Sequence, residues 1–326
     1  MSALILLVAA LVQGPRLIAT EAASKVGYDR TPEVRGFPSR NFLFGYWFYN
    51  GGSGRETLPS PFAIVNGKEI PLPVDKWKFG HAYCGDTRAV YGDVSNDEED
   101  LPCRWTPDTV QGWSMPVLAI VDHRRGRVLA VDKQGRLCIN SASKWRVLEG
   151  DSTISEFSKD FGLGGIDAKG HWFGTTYSWL GPHAVPSGKK AVMWDGKNWF
   201  SLNPDGYEQS TIVQVNDKGI AVGAALRGVW EAVVWEDGRM RTVLRPLRGY
   251  AEVRAVNDAG DVAGIGSTDQ KYRAWLLTRR GKEDISDLVT GVDFLSPQVL
   301  DPDGDLAAVG STKTGWGIYV ISRTKA

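Results

Sequence analysis

The stretch that decides the fold is V-N-D-K-G-I-A-V-G, residues Val215 to Gly223, which returns as V-N-D-A-G-D-V-A-G at Val256 to Gly264. In both copies an Asn precedes a glycine by three positions, and a short apolar segment follows. An Asn or Asp side chain can hydrogen-bond the backbone two residues further on, and glycine accepts the left-handed conformation of a tight turn. The stretch therefore predicts the turn and the second strand of an antiparallel hairpin.

The same pattern occurs five times in the C-terminal two thirds of the chain, with its Asn or Asp at positions 122, 167, 216, 257 and 301, and the copy at 122 is one residue longer. Successive anchors are 45, 49, 41 and 44 residues apart. A second hairpin follows the first in each unit, as in Ala232 to Trp235 with its turn Glu236 to Arg239. A period of this length, filled by two hairpins, indicates repeats of a four-stranded unit that stack or form a ring.

The N-terminal third carries weaker copies of the unit. Arg40 to Gly45 with Phe62 to Val65 indicates one copy, and Arg88 to Gly92 with Pro102 to Trp105 indicates another. With Pro38 and Gly85 as anchors, the predicted units start near 38, 85, 122, 167, 216, 257 and 301. The last unit lacks one strand. Because closing a ring leaves no sheet edge unpaired, we expect a strand near 24–36 to complete it.

These units predict an all-β fold, a β-propeller of four-stranded antiparallel blades, and seven blades account for nearly all of the chain after an N-terminal export signal. A ring of six or eight blades is an alternative, because the repeat pattern is weak in the first two units. A β-solenoid or an open array shares the spacing but does not suit paired antiparallel hairpins. One short helix is expected from Thr153, whose spacing to Glu156 matches a capping box, to near Gly162.

The first residues have the character of an export signal. Ala3 to Val12 is an unbroken apolar run, about half the length that a membrane-spanning helix needs, and Thr20 and Ala22 are small residues of the kind that signal peptidase reads. No Lys or Arg precedes the run, and a buried strand or an interfacial helix is the alternative. We expect a signal peptide over 1–22, a single propeller domain over 23–326, no transmembrane span, and a secreted, periplasmic or cell-envelope location.

The chain resembles the HAF-type extracellular repeat proteins of bacteria, whose repeats carry V-N-D-x-G-x-x-V-G followed by a strand of the type H-A-F-x-W-x-x-G. Val215 to Gly223 and Val256 to Gly264 match the first element. Lys190 to Trp194 and Glu231 to Trp235 match the second, with its His and Phe replaced. The resemblance covers the chain from about Gly165 onward, and the N-terminal third only by extrapolation. It implies export and a propeller-like fold, and it implies no activity.

Charge and cysteine content exclude several classes of function. Lys and Arg together number 38, as do Asp and Glu, so the net charge is zero, whereas a nucleic-acid-binding protein carries a basic excess on one face. Cys84, Cys103 and Cys138 have no C-x-x-C spacing for zinc or thiol redox chemistry. Cys84 and Cys103 fall on the first and third strands of one predicted unit. Their expected separation, about 9 to 10 Å, allows a bridge only at a displaced strand end.

Two acidic segments are candidate cation sites. Asp301, Asp303 and Asp305 alternate in D-P-D-G-D, and three carboxylates on one short loop are what calcium prefers, although the glycine and glutamate positions of an EF-hand are absent. Asn96 to Asp100 concentrates four carboxylates, which suit a cation or a basic partner. A repeat turn explains the first segment equally well, and a solvated loop explains the second. No other cofactor is expected.

In each unit both hairpin turns emerge on one side of the ring, the short-turn face, and the other connections emerge on the opposite side, the long-loop face. The connections assigned to the long-loop face include 49–61, 94–101, 106–115, 149–160, 175–189, 202–209 and 245–250. Long loops of varied chemistry usually carry function. We therefore expect a ligand to bind on the long-loop face, near the ring axis.

Aromatic and charged residues outside the predicted strands are the candidates for ligand binding. Tyr177, Trp179 and His183 lie in one long connection, and Arg227 and Trp230 lie in the corresponding segment of the next unit. Exposed clusters of aromatic and arginine side chains are typical of binding sites. The alternative is that these side chains cap the hydrophobic ends of the blades.

We predict a monomeric binding module for a protein or a glycan. The first alternative is a propeller-type polysaccharide hydrolase or lyase, which needs two convergent carboxylates about 5 to 9.5 Å apart. Asp93, Glu98, Asp151 and Glu156 are available for that role, but their spacing selects no pair. The second alternative is a structural repeat protein without a ligand. The sequence therefore predicts no catalytic residue and leaves enzymatic activity open.

Overall fold

The structure, a computed structural model, describes residues 17–26, 30–49, 59–96, 98–132, 134–141, 144–157, 161–178, 187–268 and 271–323. Within these ranges the chain forms β-strands and no helix. The strands are grouped into seven four-stranded antiparallel sheets arranged in a ring, so the protein is a seven-bladed β-propeller. The prediction of a seven-bladed all-β propeller is confirmed.

The first strand of the chain is β1 (Leu17–Val26), and the next strands follow blade by blade. Blade 1 contains β2 (Arg30–Ser39), β3 (Phe42–Tyr49), β4 (Ser60–Val65) and β5 (Lys68–Pro71). Blade 2 contains β6 (Phe79–Gly85), β7 (Val90–Ser95), β8 (Asp100–Asp108) and β9 (Gly112–Ile120). Blade 3 contains β10 (Arg127–Val131), β11 (Leu137–Ser141), β12 (Lys144–Glu149) and β13 (Ser152–Phe157).

The remaining blades follow the same order. Blade 4 contains β14 (Phe161–Ile166), β15 (Trp172–Ser178), β16 (Ser187–Trp194) and β17 (Trp199–Ser201). Blade 5 contains β18 (Gln209–Val215), β19 (Ala221–Arg227), β20 (Val229–Glu236) and β21 (Arg239–Leu244). Blade 6 contains β22 (Ala251–Val256), β23 (Val262–Thr268), β24 (Lys271–Thr278) and β25 (Gly281–Asp284). Blade 7 contains β26 (Val292–Leu300), β27 (Leu306–Thr312) and β28 (Gly315–Arg323) together with β1.

The last blade is completed by the first strand of the chain. β1 pairs antiparallel with β28 from Leu17 opposite Arg323 to Val26 opposite Gly315. The residue range 24–36 predicted for this strand is wrong, because residues 30–39 form the inner strand of blade 1 instead. The expected signal-peptide boundary also falls inside β1. Cleavage after residue 22 would remove Leu17 to Ala22, more than half of the closing strand.

Blade 3 differs from the sequence prediction in two places. Its first hairpin turn is closed by the N–H of Asp132, which donates to the carbonyl of Arg136 (3.1 Å), and Asp122 lies in the connection from blade 2, so the anchor placed at 122 is wrong. Asp132 precedes Gly135 by three residues, as in the other repeats, whereas Asp122 precedes Gly126 by four, so the predicted anchor lies one turn too early. The segment from Thr153 to Glu156 lies in strand β13 rather than in a helix. Pairing with β12 overrides the local capping signal.

The repeated Asn or Asp and the glycine form the hairpin turn that the pattern predicts. Oδ1 of Asn257 accepts the backbone N–H groups of Ala259 (3.1 Å) and Asp261 (3.0 Å), and Asn216 does the same one blade earlier. Gly260 has φ = +84°, a left-handed conformation that favours glycine. Because the amide oxygen holds the turn, the amide nitrogen of Asn257 is available to donate to the next blade.

Buried tryptophans join successive blades. Trp105 on β8 and Trp235 on β20 occupy equivalent places, and both are fully buried. The indole N–H of Trp105 donates to the carbonyl of Pro73 (2.7 Å), and that of Trp235 donates to the carbonyl of Leu202 (2.9 Å). Each acceptor lies in the connection that enters the blade, so the large apolar ring packs at the blade interface while its polar atom is satisfied.

Candidate functional site

Most connections between strands lie on the predicted face of the ring, and two do not. Residues 106–115 contain the turn of the β8–β9 hairpin, and residues 149–160 contain the turn of the β12–β13 hairpin, so these turns belong to the short-turn face. Their assignment to the long-loop face is wrong. Both segments were predicted to be connections between units, but paired strands occupy much of their length.

Every inner strand carries a β-bulge close to its first hairpin turn. The register with the second strand shifts by one residue in all seven blades. A bulge leaves one residue outside the ladder and redirects its side chain. The residues left out form what we call the bulge ring: Arg35, Tyr83, Leu129, Gly164, Val213, Arg254 and Gln298.

All seven residues of the bulge ring line one cavity on the propeller axis, the axial cavity, which has a volume of about 640 Å³. Its lining also includes the first-hairpin turn residues Asp217, Asp258 and Pro302. The cavity therefore occupies the half of the central channel nearest the short-turn face. The sequence reasoning expected a ligand site near the axis but at the other end of the ring.

Polar side chains in the bulge ring come from neighbouring blades. Arg35 and Glu33 of blade 1 form an ion pair (2.5 Å), and Nε of Arg254 in blade 6 pairs with Glu252 (2.9 Å). Nη1 of Arg254 also donates to Oγ of Ser296 in blade 7 (2.5 Å). The polar part of the ring is thus held by contacts within blades and across one blade interface.

The sequence reasoning missed these four charged residues, although a signal was present. The tripeptide E-V-R occurs at Glu33 to Arg35 and again at Glu252 to Arg254, and both copies lie in inner strands. Because side chains alternate along a strand, a buried valine between two charged residues places both charges on the opposite face. In an inner strand that face is the channel.

The channel wall of blades 1 and 2 contains a second polar cluster. His81 Nδ1 lies 3.2 Å from the carboxylate of Asp93, which is fully buried, and the His81 ring stacks on Tyr83 at 5.3 Å between centroids. The hydroxyl of Tyr46 donates to Glu33 (2.5 Å). Burial, with Asp93 nearby, raises the pKa of Tyr83 well above its ordinary value. The phenol beside the axial cavity is therefore neutral.

The long-loop face of blades 5 to 7 carries an aromatic strip made of Trp230, Tyr250, Tyr272 and Phe294. The rings of Trp230 and Tyr250 are 6.1 Å apart, and those of Tyr272 and Phe294 are 6.2 Å apart. Tyr272 is 52% exposed, and Leu247, three residues before Tyr250 in the chain, is fully exposed. The backbone N–H of Ser267 on β23 donates to the carbonyl of Tyr250 (2.8 Å), and Ser267 pairs with Tyr272 in the ladder, so one ring of each pair lies at the same end of blade 6.

The predicted pair Arg227 and Trp230 does not form one site. Arg227 lies over the ring of Tyr207 (4.7 Å) and pairs with the buried carboxylate of Glu231 (3.3 Å). Glu231 also accepts hydrogen bonds from Tyr207 (3.2 Å) and Thr242 (2.7 Å). Trp230 and Glu231 are adjacent in β20 and therefore point to opposite faces of the sheet. Arg227 thus belongs to a structural network, whereas Trp230 belongs to the aromatic strip.

The other predicted ligand-binding residues lie in blade 4. Tyr177 on β15 is half-buried and covers Gly162, where an added Cβ would come within 2.5 Å of the Tyr177 hydroxyl. Burial raises the pKa of Tyr177. Tyr177 therefore packs on its own blade. Trp179 and His183 lie outside the described residues.

The D-P-D-G-D segment forms a repeat turn. Oδ1 of Asp301 accepts the N–H of Asp305 (2.8 Å), the Asp305 carboxylate pairs with Arg40 (3.4 Å), and Asp303 is exposed at the tip of the turn. In the part of the chain that the structure describes, no group of three or more His, Cys, Asp or Glu side chains is arranged to hold a metal ion. The repeat-turn interpretation of this segment is supported, because the turn and the ion pair each use one carboxylate.

The carboxylates considered for catalysis are dispersed, and none of them lines the axial cavity. Asp93 faces His81, Asp151 lies in the β12–β13 turn, and Glu156 accepts a hydrogen bond from Lys144 (2.6 Å). That hydrogen bond lowers the pKa of Glu156, whereas a general acid for glycoside cleavage needs a raised pKa. Glu98 lies in the acidic loop, whose last carboxylate, Asp100, pairs with Arg127 (3.1 Å).

The three cysteines carry free thiols. Cys84 on β6 and Cys103 on β8 are separated by β7, the arrangement expected from the first and third strands of a unit. Burial raises the pKa of all three thiols. A thiol with a raised pKa is a poor nucleophile, so the cysteines act as small apolar residues of the core.

Comparisons with known proteins identify the fold and no family. No family model and no curated protein matches the chain. Among solved structures, the acylaminoacyl peptidase of Pyrococcus horikoshii is similar with a TM-score of 0.55 at 9% identity, over 90% of this chain and 52% of that one. This chain thus spans about half of the peptidase.

Two further solved structures are similar at comparable sequence distance. YCF48 bound to D1 peptide has a TM-score of 0.50 at 11% identity, over 95% of this chain and 97% of that one. TolB from Acinetobacter baumannii has a TM-score of 0.45 at 13% identity, over 73% and 65%. Likeness at this level of identity shows the propeller fold alone. In the described ranges no helix has the length and apolar character needed to cross a bilayer.

Proposed function

We propose that this protein is a binding propeller that captures a protein partner through its aromatic strip. The observation that carries the proposal is the row of Trp230, Tyr250, Tyr272 and Phe294 along the long-loop face of three consecutive blades. Aromatic side chains provide large contact areas at a low cost in conformational entropy and are enriched in interface hot spots.

The composition around the strip favours a protein over a glycan. Leu247 is fully exposed, and Arg245 and Arg248 lie in the same connection between blades 5 and 6. An exposed aliphatic side chain flanked by arginines matches the apolar centre and charged rim of a protein interface. YCF48, which has a similar fold, carries a peptide in its solved structure, and this precedent supports the same class of partner.

A phage-displayed random peptide library panned on the full chain tests this function. We expect enriched peptides that bind in calorimetric titrations and that lose about tenfold or more of their affinity with Tyr272→Ala or Trp230→Ala. The matched control is Phe200→Ala, which removes an aromatic side chain that is 43% exposed on the outer strand of blade 4. This control should leave peptide affinity unchanged.

A glycan array probed with the same variants separates the two classes of partner. Glycan binding that depends on Tyr272, without peptides that depend on it, would replace the protein partner by a glycan. Peptides that bind Tyr272→Ala and wild type equally would show that the strip is not the binding surface. The absence of any ligand that depends on the strip would contradict the proposal as a whole.

The proposed setting is outside the cytoplasm, as a secreted or envelope protein of the HAF type. The apolar run Ala3 to Val12 and the V-N-D-x-G repeats support this setting. Because β1 begins at Leu17, we expect cleavage upstream of that residue. N-terminal sequencing of the exported protein tests the boundary, and a mature chain that starts at Ala23 would contradict it.

A further inference from the structure

We propose that the axial cavity is a binding site for a small neutral saccharide of one or two sugar units. This site is separate from the aromatic strip and lies toward the opposite face of the ring. Its volume of about 640 Å³ falls within the range of small-molecule sites, roughly 300 to 1,000 Å³. The inference does not rest on the proposed protein partner.

The bulge ring divides the cavity into a polar side and an apolar side. Consecutive blades 6, 7 and 1 contribute Arg254, Gln298 and Arg35, whereas blades 3 and 5 contribute Leu129 and Val213. Blade 4, between the two apolar residues, contributes a glycine. A sugar has hydroxyl groups at the edge of its ring and C–H groups on its faces. The polar side of the cavity can bind the hydroxyl groups, and the apolar side can contact the C–H groups.

The charges in the cavity favour a neutral ligand. Each arginine lies beside a glutamate two residues earlier, Arg35 with Glu33 (2.5 Å) and Arg254 with Glu252 (2.9 Å). A phosphate or carboxylate would have to compete with these resident carboxylates for the guanidinium groups. Hydroxyl groups can donate to the glutamates and accept from the arginines at the same time, and they need no net charge.

Two amide side chains add the remaining hydrogen-bonding groups. Nε2 of Gln298 donates to Oγ of Ser296 (3.0 Å), which leaves its amide oxygen to accept from a ligand hydroxyl. Oε1 of Gln214 accepts the backbone N–H of Val256 (2.8 Å), which leaves its NH₂ group to donate. These contacts orient both amides in advance, and a ligand then needs less ordering of side chains.

Titration of the full chain with glucose, galactose, maltose and cellobiose, followed by calorimetry and saturation-transfer NMR, tests the site. We expect at least one of these sugars to bind, and glucuronate and glucose 6-phosphate to bind at least about tenfold more weakly. Gln298→Ala should weaken sugar binding by about tenfold. Val213→Trp should abolish binding, because the bulge places that side chain, 40% exposed, in the cavity.

The matched control is Val117→Trp, which adds the same side chain at a valine that is 48% exposed on the outer strand β9. This variant should bind sugar like wild type, as should Tyr272→Ala in the aromatic strip. Circular dichroism establishes that each variant is folded. No binding of any neutral sugar, stronger binding of the anionic sugars, or binding unaffected by Val213→Trp would each overturn the proposal.

Discussion

Two kinds of blade interface hold the ring together, and they are built differently. Between blades 5, 6 and 7 the repeated asparagines cross from blade to blade: Nδ2 of Asn216 donates to the carbonyl of Asn257 (2.7 Å), and Nδ2 of Asn257 donates to that of Asp301 (3.2 Å). Between blades 7 and 1 the next residue in the series is Asp301, whose buried Oδ2 has no hydrogen-bond partner among the described residues.

The closing interface uses other contacts in place of the asparagine. Nη2 of Arg40 in the first turn of blade 1 donates to Oγ of Ser322 on β28 (3.2 Å), and its Nε pairs with Asp305 (3.4 Å). β1 adds a full strand to blade 7. Neighbouring blades with the same repeat are joined by the repeated asparagines. The first and last blades are joined instead by contacts that do not belong to the repeat, those of Arg40 and of strand β1.

The largest effect is expected from shortening the closing strand. A chain that starts at Ala23 loses Leu17 and Ala19, which pack on the core of blades 6 and 7, together with their pairing to β28. We expect the free energy of unfolding to fall by at least about 3 kcal/mol. The measurement is the urea midpoint followed by tryptophan fluorescence. A chain that lacks only residues 1–16 is the control, and equal midpoints for the two would show that closure does not depend on β1.

The second-largest effect is expected from Asp301, whose ionisation makes the stability of the fold depend on pH. Burial, with Asp305 and Asp303 nearby, raises the pKa of Asp301 to about 6 from its ordinary 3.8. The folded state therefore binds this proton more tightly than the unfolded state. Protonated Asp301 stabilises the folded state fully below pH 3.8. As the pH rises through 6 the carboxyl loses its proton, and the free energy of unfolding falls by up to about 3 kcal/mol.

Asp301→Asn tests this effect, because the amide keeps the acceptor for the Asp305 N–H and carries no charge. We expect the variant to be more stable than wild type at pH 7.5, with the difference shrinking toward pH 4.5. Asn257→Asp is the mirror control, because it places the carboxylate in a regular interface. Thermal unfolding curves that run parallel for wild type and Asp301→Asn across this pH range would contradict the assignment.

A smaller loss is expected from Asn257→Ala in a regular interface. The substitution removes the donor to the carbonyl of Asp301 and the acceptor for the backbone N–H groups of Ala259 and Asp261. Buried backbone groups left without partners cost about 2 kcal/mol in stability. Chemical denaturation measures the loss, and Asn216→Ala should match it within error. A change below about 0.5 kcal/mol would mean that the crossing amides contribute little.

The smallest effect is expected from Arg40→Ala at the closing interface. The Arg40 side chain is about half exposed, so solvent screens its ion pair with Asp305. We expect a loss of less than about 1 kcal/mol, reduced further at high salt. Urea midpoints with and without added NaCl provide the measurement. A loss as large as that from shortening β1 would show that Arg40, rather than the strand, closes the ring.

The regular blades could be predicted from the sequence because their turns are local. The Asn and Gly of V-N-D-x-G act within five residues of one another, and the spacing of the anchors then favours seven blades over six or eight. Blade 3 shows where this reasoning fails. Asp122 and Asp132 both resemble the anchor, and only the pairing of β10 with β11 distinguishes a hairpin turn from a connection between blades.

The candidate sites were predicted less well because their residues are far apart in the sequence. Trp230 was identified as an exposed aromatic residue, but its neighbours in the strip come from three other segments. The bulge ring takes one residue from each blade. Only the ladder register determines whether a residue such as Arg254 or the adjacent Val253 points into the channel.

The sequence by itself determined the all-β class and the repeat, and it favoured seven blades, because hairpin turns depend on a few neighbouring residues. Tertiary structure decided which strand closes the ring, that Asp301 is buried without a full set of partners, and which residues meet on the axis. The physical reason is that closure, burial and bulges depend on contacts between distant strands. Such contacts cannot be predicted from a local pattern of side chains.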